Sequence, residues 1–442
     1  MARLFNVVHL EKTASPMTRI LIQNGRIVDP SQDLDRVSNL LLEHGKVAGI
    51  DVSTQDADET IDATGKIVAP GLIDICVELR EPGWEDDETI ETGTAAAIEG
   101  GFTSIACLPS TDPPTDTQAN VEFIGYQALR ANNCNVFVLA CVSKNRAGEE
   151  LAEIGSLAAA GAVGFTDANR PIFNAELMRR ALEYSQMFDR PILNQPEVPE
   201  LNHDGVMHEG LVSTILGLSG MPPEAEDVMT GRDIRLAEAT GGSLHLLKIS
   251  SSGSVELIRR AKARGVRVTA GLSLTNLVGC DESLRSFDTN LKLNPPLRSQ
   301  DHLNECLAGL IDGTLDVICS GHAPRATEKK MHVFNVAPFG MISLETSLGM
   351  VGTKLVTPGH MDWPLAIRKL TTNPAQILKL AHKGSLKAGS DADVTVIDPH
   401  LKWEVDTSHF KSKSSNSPLL GWTLHGKATD VVVGGLIKKR ST

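Results

Sequence analysis

The sequence predicts an α/β protein: a (β/α)8 barrel, the TIM-barrel architecture, with a small β-sandwich domain built from both ends of the chain. Between residues 71 and 320, about eight short apolar runs alternate with segments of helical composition. The two ends contain short β-branched segments separated by turns. Eight strands joined by helices favour a closed barrel over an open sheet. No Gly-x-Gly-x-x-Gly sequence follows a strand, so a dinucleotide-binding sheet is the weaker interpretation.

Composition and charge exclude several classes of partner. The chain has 442 residues, 41% of them hydrophobic, and a formal net charge of −13 without a basic cluster, so we expect no nucleic-acid partner. No apolar run approaches the ~18 to 20 residues that span a bilayer, and the N-terminus lacks the pattern of a signal peptide. Seven cysteines without a Cys-x-x-Cys pair fit reduced thiols. The sequence therefore predicts a cytoplasmic protein that contacts no membrane.

The first 67 residues predict an extension followed by short strands. Residues 1–16 show no clear period, and we assign them no function. In residues 19–29, Asn24-Gly25 lies between two apolar runs, which predicts a β-hairpin. Further strands are predicted at 37–42, 46–50 and 59–62.

The barrel is predicted to begin at the apolar run 72–77, which is short and β-branched enough to be a buried parallel strand. Helical composition marks 88–100, which ends at Gly100-Gly101. The other predicted strands are 103–108, 135–140, 162–166, 191–194, 243–249, 267–271 and 316–320. The other predicted helices are 149–160, 175–188 and 254–264.

The β pattern returns near the C-terminus, with predicted strands at 394–397 and 431–437. The sandwich is therefore predicted to be split around the barrel. The predicted divisions are 1–16 for the extension, 17–67 for the first part of the sandwich, 68–375 for the barrel and 376–442 for the second part of the sandwich.

Several motifs resemble those of one enzyme family. Two flank the predicted strand 72–77, and they read Gly71-Leu72-Ile73-Asp74 and Leu79-Arg80-Glu81-Pro82-Gly83. The others are Asn294-Pro295-Pro296-Leu297-Arg298, His322-Ala323-Pro324 and Ala337-Pro338-Phe339-Gly340. These motifs are similar to those of dihydroorotases in the amidohydrolase superfamily, over nearly the whole chain from about residue 18. The resemblance implies a barrel whose carboxyl-terminal mouth hydrolyses a cyclic amide with metal-held hydroxide.

The resemblance also implies that the metal site is degenerate. In the family the first strand ends in His-x-His, and the matching positions here are Cys76 and Glu78. The other matching positions are Asp167, where one of two family aspartates remains, Gln195 and Lys248 in place of histidines, and Gly321 in place of the carboxylate base. An ammonium group and a missing base both oppose metal-dependent hydrolysis. We therefore expect no catalytic residue, no metal ligand and no cofactor.

Three residues remain as candidates for binding a ligand in the relic pocket: Arg80, Asn294 and His322. Arg80 stands where the family pairs a substrate carboxylate, but Ser110 replaces the amide partner. An arginine on an exposed rim is usually a solvated charge. His245 and His322 each lie beside apolar strand residues, where a single histidine is more often a hydrogen-bonded core residue than a ligand.

Two functional hypotheses follow, and the first is preferred. The resemblance to dihydroorotase-like chains with degenerate metal sites predicts a non-catalytic pseudoenzyme, which assembles with the catalytic chain of aspartate carbamoyltransferase and stabilises it in pyrimidine biosynthesis. The expected assembly is a hetero-dodecamer with self-association. The alternative is an active metal-dependent amidohydrolase with an atypical site that uses Cys76, Glu78 and Asp167. A sensor that binds a nucleotide or pyrimidine in the relic pocket ranks below both.

Overall fold

A computed structural model describes residues 18–52 and 56–440, and it confirms the predicted fold class. Eight parallel strands form a barrel, and a separate sheet contains strands from both ends of the chain. The predicted extension, residues 1–16, lies outside the described residues. The predicted residue limits of the domains stay a prediction.

The strands of the described residues are numbered in chain order. The first five are β1 (Ile20–Asp29), β2 (Leu34–Glu43), β3 (Lys46–Ile50), β4 (Glu59–Asp62) and β5 (Ile67–Pro70). The next ten are β6 (Leu72–Val77), β7 (Phe102–Cys107), β8 (Asn135–Ala140), β9 (Gly164–Phe165), β10 (Ile192–Asn194), β11 (Met207–His208), β12 (Gly220–Met221), β13 (Leu244–Leu246), β14 (Val268–Ser273) and β15 (Val317–Cys319). The last three are β16 (Val394–Glu404), β17 (Thr423–Val433) and β18 (Leu436–Arg440).

The α-helices of the described residues are numbered in the same way. They are α1 (Ile90–Gly100), α2 (Gln118–Ala131), α3 (Ile154–Ala159), α4 (Ala175–Ser185), α5 (Leu211–Leu216), α6 (Glu224–Thr240), α7 (Ser252–Ala263), α8 (Gln300–Asp312), α9 (Thr327–Lys330), α10 (Ser347–Val351), α11 (Trp363–Leu370) and α12 (Thr372–Ile377). Short 3-10 turns cover Lys144–Arg146, Gln186–Phe188, Leu274–Leu277, Asp281–Ser286, Thr289–Leu291, Leu344–Thr346 and Thr407–His409, and a π-helical turn covers Gly352–Val356. None of the helices in the described ranges is both long and apolar enough to cross a membrane.

The barrel places the ends of its strands at one mouth. Its strands pair in the order β6, β7, β8, β9, β10, β13, β14 and β15. A bridge between Val77 and His322 joins the first strand to the residues after the last one, and the Glu78 amide donates to the His322 carbonyl at 3.0 Å. All eight strands lie where the sequence predicts them. Because parallel strands end on the same side, the loops after them share the mouth where such barrels hold their sites.

Helix α1 shows how the sequence sets an element boundary. The Thr89 side chain caps the N-terminus by accepting from the Thr92 amide at 3.1 Å. The Thr89 amide in turn donates to the Thr92 hydroxyl at 3.2 Å. Gly101 ends the helix with φ of 93°, a conformation that costs glycine little. The helix predicted at 88–100 is therefore confirmed.

The predicted hairpin at Asn24-Gly25 is wrong. The residues on both sides form one strand, β1, whose pairing with β2 shifts register between Ile22 and Gly25. Asn24 has φ of 62°, and a Cβ at Gly25 would overlap Val68 Cγ2 and lie 2.9 Å from Ala63 Cβ. The dipeptide thus forms a β-bulge, because the three steps from Ile22 to Gly25 face only two steps, from Leu40 to Ser38, in β2. On the other edge of β1, residues before the dipeptide pair with β4 and residues after it pair with β5.

The separate sheet joins the two ends of the chain. Its main order is β18, β17, β16, β5, β1, β2 and β3, with β4 paired to β1 outside that path. The antiparallel contact between β5 and β16 makes the connection. Since β5 is followed almost at once by β6, the sheet is anchored directly to the first barrel strand.

Gly100 in α1 and Gly125 in α2 differ in the space around them, and this difference tests how closely α1 is packed. A Cβ at Gly100 would overlap the Leu344 carbonyl oxygen and lie 2.8 Å from its carbon, whereas a Cβ at Gly125 in α2 meets nothing within 4 Å. We expect Gly125→Ala to raise stability by about 0.5 to 1 kcal/mol through helix propensity. Gly100→Ala should lower it by about 1 to 3 kcal/mol through overpacking. Thermal unfolding of the two variants measures the difference, and equal stabilisation by both would contradict the contact.

Candidate active site

A buried ion pair lies at the end of the first barrel strand. Glu78, directly after β6, is 3% exposed and pairs with Arg80 Nη1. Asn169 Nδ2 donates to Glu78 Oε1 at 2.7 Å, and the Ser110 hydroxyl donates to Oε2 at 3.2 Å. Burial favours the neutral acid, but the charges of Arg80, Arg325 and Lys248 outweigh it and lower the pKa of Glu78 to about 2. Glu78 is therefore ionised and fully engaged near neutral pH.

The sequence predicts Arg80 on an exposed rim, and the structure shows that it is buried. It is 4% exposed, and its Nε donates to the Pro324 carbonyl at 3.3 Å. Burial lowers the pKa of Arg80 to about 10 against the opposing effect of Glu78, so the guanidinium keeps its charge near neutral pH. Its Nη2 is buried and has no hydrogen-bond partner among the described residues. A buried cationic donor without an acceptor is costly, and an anionic ligand supplies what it lacks.

Arg80 opens onto a pocket of about 400 Å³ at the mouth of the barrel. We call it the arginine pocket, after Arg80, Arg146, Arg170 and Arg325. Each arginine lies in the loop after a barrel strand: β6, β8, β9 and β15 respectively. Ser110, Asn169, Asp112 and Trp84 also line the pocket. Four guanidinium groups against one lining carboxylate give the pocket a charge that suits an anionic ligand.

Two of these arginines are held by backbone carbonyls. Arg146 donates to the Asp167 carbonyl through Nε at 3.1 Å and Nη2 at 2.9 Å. Arg325 donates through Nε to the Phe339 carbonyl at 3.0 Å, and its Nη1 lies 3.4 Å from an Asp87 oxygen. These contacts fix the direction of two cations that face the same space.

The sequence positions of the family's metal site do not come together as a ligand set. The neighbouring Cys76 side chain, together with burial, raises the pKa of the Cys319 thiol, whose Sγ donates to the Leu272 carbonyl at 3.6 Å. Asp167 accepts from the amides of Val142 at 2.9 Å and Ser143 at 3.1 Å, and from the Ser143 hydroxyl. Its carboxylate therefore holds the loop after β8. The trio of Cys76, Glu78 and Asp167 is already engaged with protein partners.

On the opposite side of the mouth, Asn294 gathers two of the positions. Gln195 Nε2 donates to Asn294 Oδ1 at 3.0 Å, and Lys248 Nζ donates to the Asn294 carbonyl at 3.0 Å. Asn294 Nδ2 in turn donates to Glu197 at 3.0 Å. Asn294 thus ties the ends of β10 and β13 together, and it does not line the arginine pocket.

Gly321 leaves no room for the family's carboxylate. It has φ of 68°, and a Cβ there would overlap the Ser273 hydroxyl and lie 3.3 Å from Ser273 Cβ. Its neighbour His322 accepts from the Ser343 amide at Nδ1, at 3.1 Å. His245 contacts the Thr269 hydroxyl at 2.9 Å, and burial lowers the pKa of His245 to about 3. Both histidines are core residues in this geometry.

The residues at the mouth do not fit a metal. In residues 18–52 and 56–440, no group of three or more histidine, cysteine, aspartate and glutamate side chains is arranged to hold an ion. The negative charge of Glu78 is balanced by Arg80, and the nearby Lys248 ammonium also lowers the pKa of Glu78. A divalent cation would meet these two fixed cations with too few donors.

Sequence reasoning missed most of the arginine pocket. It did not single out Arg146, Arg170, Arg325 or Asn169. Arg170 and Arg325 each follow a predicted strand by a few residues, and that position was the available signal, since loops after parallel strands share one mouth.

Comparison with known proteins identifies the family. A family model described as dihydro-orotase-like matches residues 65–254. A protein named dihydroorotase from Pelotomaculum thermopropionicum is 47% identical over 421 residues, covering 95% of this chain and 98% of that protein. The chain belongs to the dihydroorotase family. Another dihydroorotase, from Syntrophus aciditrophicus, is 45% identical over 422 residues and covers 95% and 99% of the two chains. The fold is also similar to an L-hydantoinase from Arthrobacter aurescens, with a TM-score of 0.87, 25% identity and coverage of 96% and 97%.

These relatives overturn the preferred sequence interpretation. The chain was expected to be a catalytically inactive subunit, because the family's ligand positions are substituted. Dihydroorotase-family relatives at 45–47% identity over nearly the whole chain are named as the enzyme. The prediction of a non-catalytic pseudoenzyme is therefore wrong. That prediction relied on a few substituted positions, whereas the similarity to the named enzymes extends over nearly the whole chain.

The misfit of the metal site predicts the metal content. We expect protein purified without chelator to contain well under one zinc ion per chain. A metal that binds the folded state raises the melting temperature, so without a metal site neither excess zinc nor EDTA should change it. Elemental analysis and thermal unfolding measure both quantities.

A matched pair of variants separates a site from surface binding. Cys280 is the one cysteine of the seven that is only half-buried, so Cys280→Ala removes zinc held adventitiously at the surface. One zinc ion per chain that survives Cys280→Ala and disappears in Cys76→Ala would contradict the absence of a metal site.

Proposed function

We propose that this chain is a dihydroorotase-type cyclic amide hydrolase that acts on a small anionic substrate in the arginine pocket. The observation that carries the proposal is the unpaired, buried Arg80 Nη2 at the mouth of the barrel. The names of the relatives support the reaction class. The substrate pair is then dihydroorotate and carbamoyl aspartate, and the reaction belongs to pyrimidine biosynthesis.

The pocket suits the charge of both molecules. Ring opening of dihydroorotate adds a carboxylate to a molecule that already has one, so the open form is a dianion. We expect Arg80 Nη2, which has no partner among the described residues, to donate to a ligand carboxylate, with Arg325 as a second cation lining the same pocket. Such charge-assisted bonds are about twice as strong as neutral ones, and burial strengthens them further.

Asn169 provides a recognition element for the ureide. Its Nδ2 is fixed on Glu78 at 2.7 Å, while its Oδ1 is buried without a partner within the described part of the chain. An amide oxygen held in that direction accepts an N–H group of the substrate. Arg80 and Asn169 are both fixed by Glu78, so the carboxylate and the ureide are recognised at a set separation.

The residues present determine how the reaction is assisted. Glu78 has a pKa of about 2 and holds its partners as an anion, so it is not a proton donor near neutral pH. The arginines orient the substrate and stabilise negative charge that develops on the carbonyl oxygen. The proposal keeps the hydrolase activity of the alternative hypothesis and omits its metal site, since Cys76 and Asp167 are engaged elsewhere. We expect turnover that is slow and not increased by zinc.

Substitution of Arg80 tests the proposal. We expect the purified protein to interconvert carbamoyl aspartate and dihydroorotate, and Arg80→Met to weaken carbamoyl aspartate binding roughly tenfold or more, as for loss of a buried charged hydrogen bond. Calorimetric titration and a coupled spectrophotometric assay measure binding and turnover. Arg80→Lys, which keeps the charge but not the paired donors, should retain part of the affinity.

Arg259→Met is the matched control, because Arg259 on α7 pairs with Asp312 on α8 and both side chains are partly exposed. It should leave binding and turnover unchanged. Turnover no faster than the uncatalysed reaction, together with unchanged binding in Arg80→Met, would refute the proposal.

The predicted partner is a separate matter from catalysis. Binding to the catalytic chain of aspartate carbamoyltransferase, in a mixed dodecamer with self-association, stays a prediction supported by the family resemblance alone. Sedimentation velocity of each chain and of their mixture measures it. We expect a new, faster species in the mixture, and a simple sum of the separate species at micromolar concentration would contradict the association.

A further inference from the structure

A segment from the terminal sheet domain reaches the mouth of the barrel. We call residues 411–417, between β16 and β17, the strap. The Lys411 amide donates to Glu345 at 2.6 Å, the Lys413 amide to Glu88 at 3.1 Å, and the Ser414 hydroxyl to the Asp87 carbonyl at 2.6 Å. Asp87 and Glu88 precede α1, in the loop that follows β6. The strap is therefore fixed to the same end of the barrel as the arginine pocket.

Asn416 makes the contact of the strap that matters most for the pocket. Its side chain is buried, and Oδ1 accepts from the Arg325 amide at 3.1 Å. Its Nδ2 donates to the carbonyls of Ala323 at 3.3 Å and Gly340 at 3.0 Å. The Ile342 amide donates to its carbonyl at 3.0 Å. Through its side chain and its backbone carbonyl, Asn416 therefore joins the backbone on both sides of Pro324 to the segment at 340–342.

Arg325 is held from two directions as a result. Asn416 fixes its backbone, while Phe339 and Asp87 fix its guanidinium. Asp87 also accepts from the Ala326 amide at 2.8 Å and from Lys329 Nζ at 2.8 Å, so the carboxylate is itself fixed. The Arg325 side chain lines the pocket, and its charge lowers the pKa of both Arg80 and Glu78.

We propose that Asn416 is a positioning residue for the arginine pocket: it holds Arg325 where the guanidinium binds the anionic ligand. The terminal sheet domain then takes part in ligand binding through the strap, although it contributes none of the four arginines. This inference rests on the proposed function, because the ligand it concerns is the substrate of that reaction.

A double-mutant cycle tests the inference. The affinity for carbamoyl aspartate is measured by calorimetry in the full chain, in Asn416→Ala, in Arg325→Met and in the double variant. We expect Asn416→Ala alone to weaken binding roughly tenfold, as for loss of one charged hydrogen bond between Arg325 and the ligand. In the Arg325→Met background the same change should weaken it no further, because residues that act through one another are non-additive.

Asn135→Ala is the matched control. Asn135 Nδ2 also ties the barrel to the sheet domain, with 2.9 Å bonds to the Thr103 carbonyl and to Asp393, but it lies at the start of β8, away from the mouth. Both asparagine variants should lower the melting temperature, and Asn135→Ala should keep its affinity. If Asn416→Ala does not fold, Asn416→Ser replaces it in the cycle.

The possible results separate the inference from the proposed function. Additive effects of the two substitutions, or normal affinity in Asn416→Ala, overturn the inference, and Arg80→Met still decides the proposed function independently. Normal affinity in Arg80→Met and Arg325→Met as well overturns both, since there is then no ligand site for Asn416 to position.

Discussion

The buried ion pair between Glu78 and Arg80, where the first and last barrel strands meet, determines what the mouth of the barrel binds. Charges removed from water are tolerated when they are paired and their other polar atoms are satisfied. Glu78 meets that condition through Arg80, Asn169 and Ser110. Arg80 does not, because Nη2 has no acceptor within the described part of the chain. One pair therefore disfavours a cation at the carboxylate and favours an anion at the guanidinium.

The rest of the mouth is arranged consistently with that pair. Gln195 and Lys248 each donate one hydrogen bond to Asn294, while Gln195 Oε1 is buried without a partner among the described residues. Gly321 adopts a left-handed conformation against Ser273, which leaves no space for a side chain. The fold of the family is kept, and the described residues at its mouth include a cluster of fixed cations.

The sequence predicted the fold well and the site only in part. The eight barrel strands were predictable because each is a short apolar run between helical segments, a local property. Asn24-Gly25 misled because a bulge and a turn need the same backbone conformation, and distant partners decide between them. Arg80 was misplaced for a similar reason: it is buried against a distant part of the chain, where its Nε donates to the carbonyl of Pro324. The residues at a few expected ligand positions, such as Gln195, Lys248 and Gly321, concern metal binding alone, and they did not decide whether the protein is an enzyme.

The pairing of β5 with β16 has a consequence for the newly made chain. The two strands are separated by roughly 330 residues, and β5 leads directly into the barrel. At about 5 to 20 residues per second, the ribosome needs on the order of 15 to 65 s to deliver β16 after β5. For that time the sheet edge at β5 has unpaired backbone groups, which other chains can bind. Synthesis thus includes a period in which this edge is open, whereas in the folded protein β5 is paired with β1 on one side and β16 on the other.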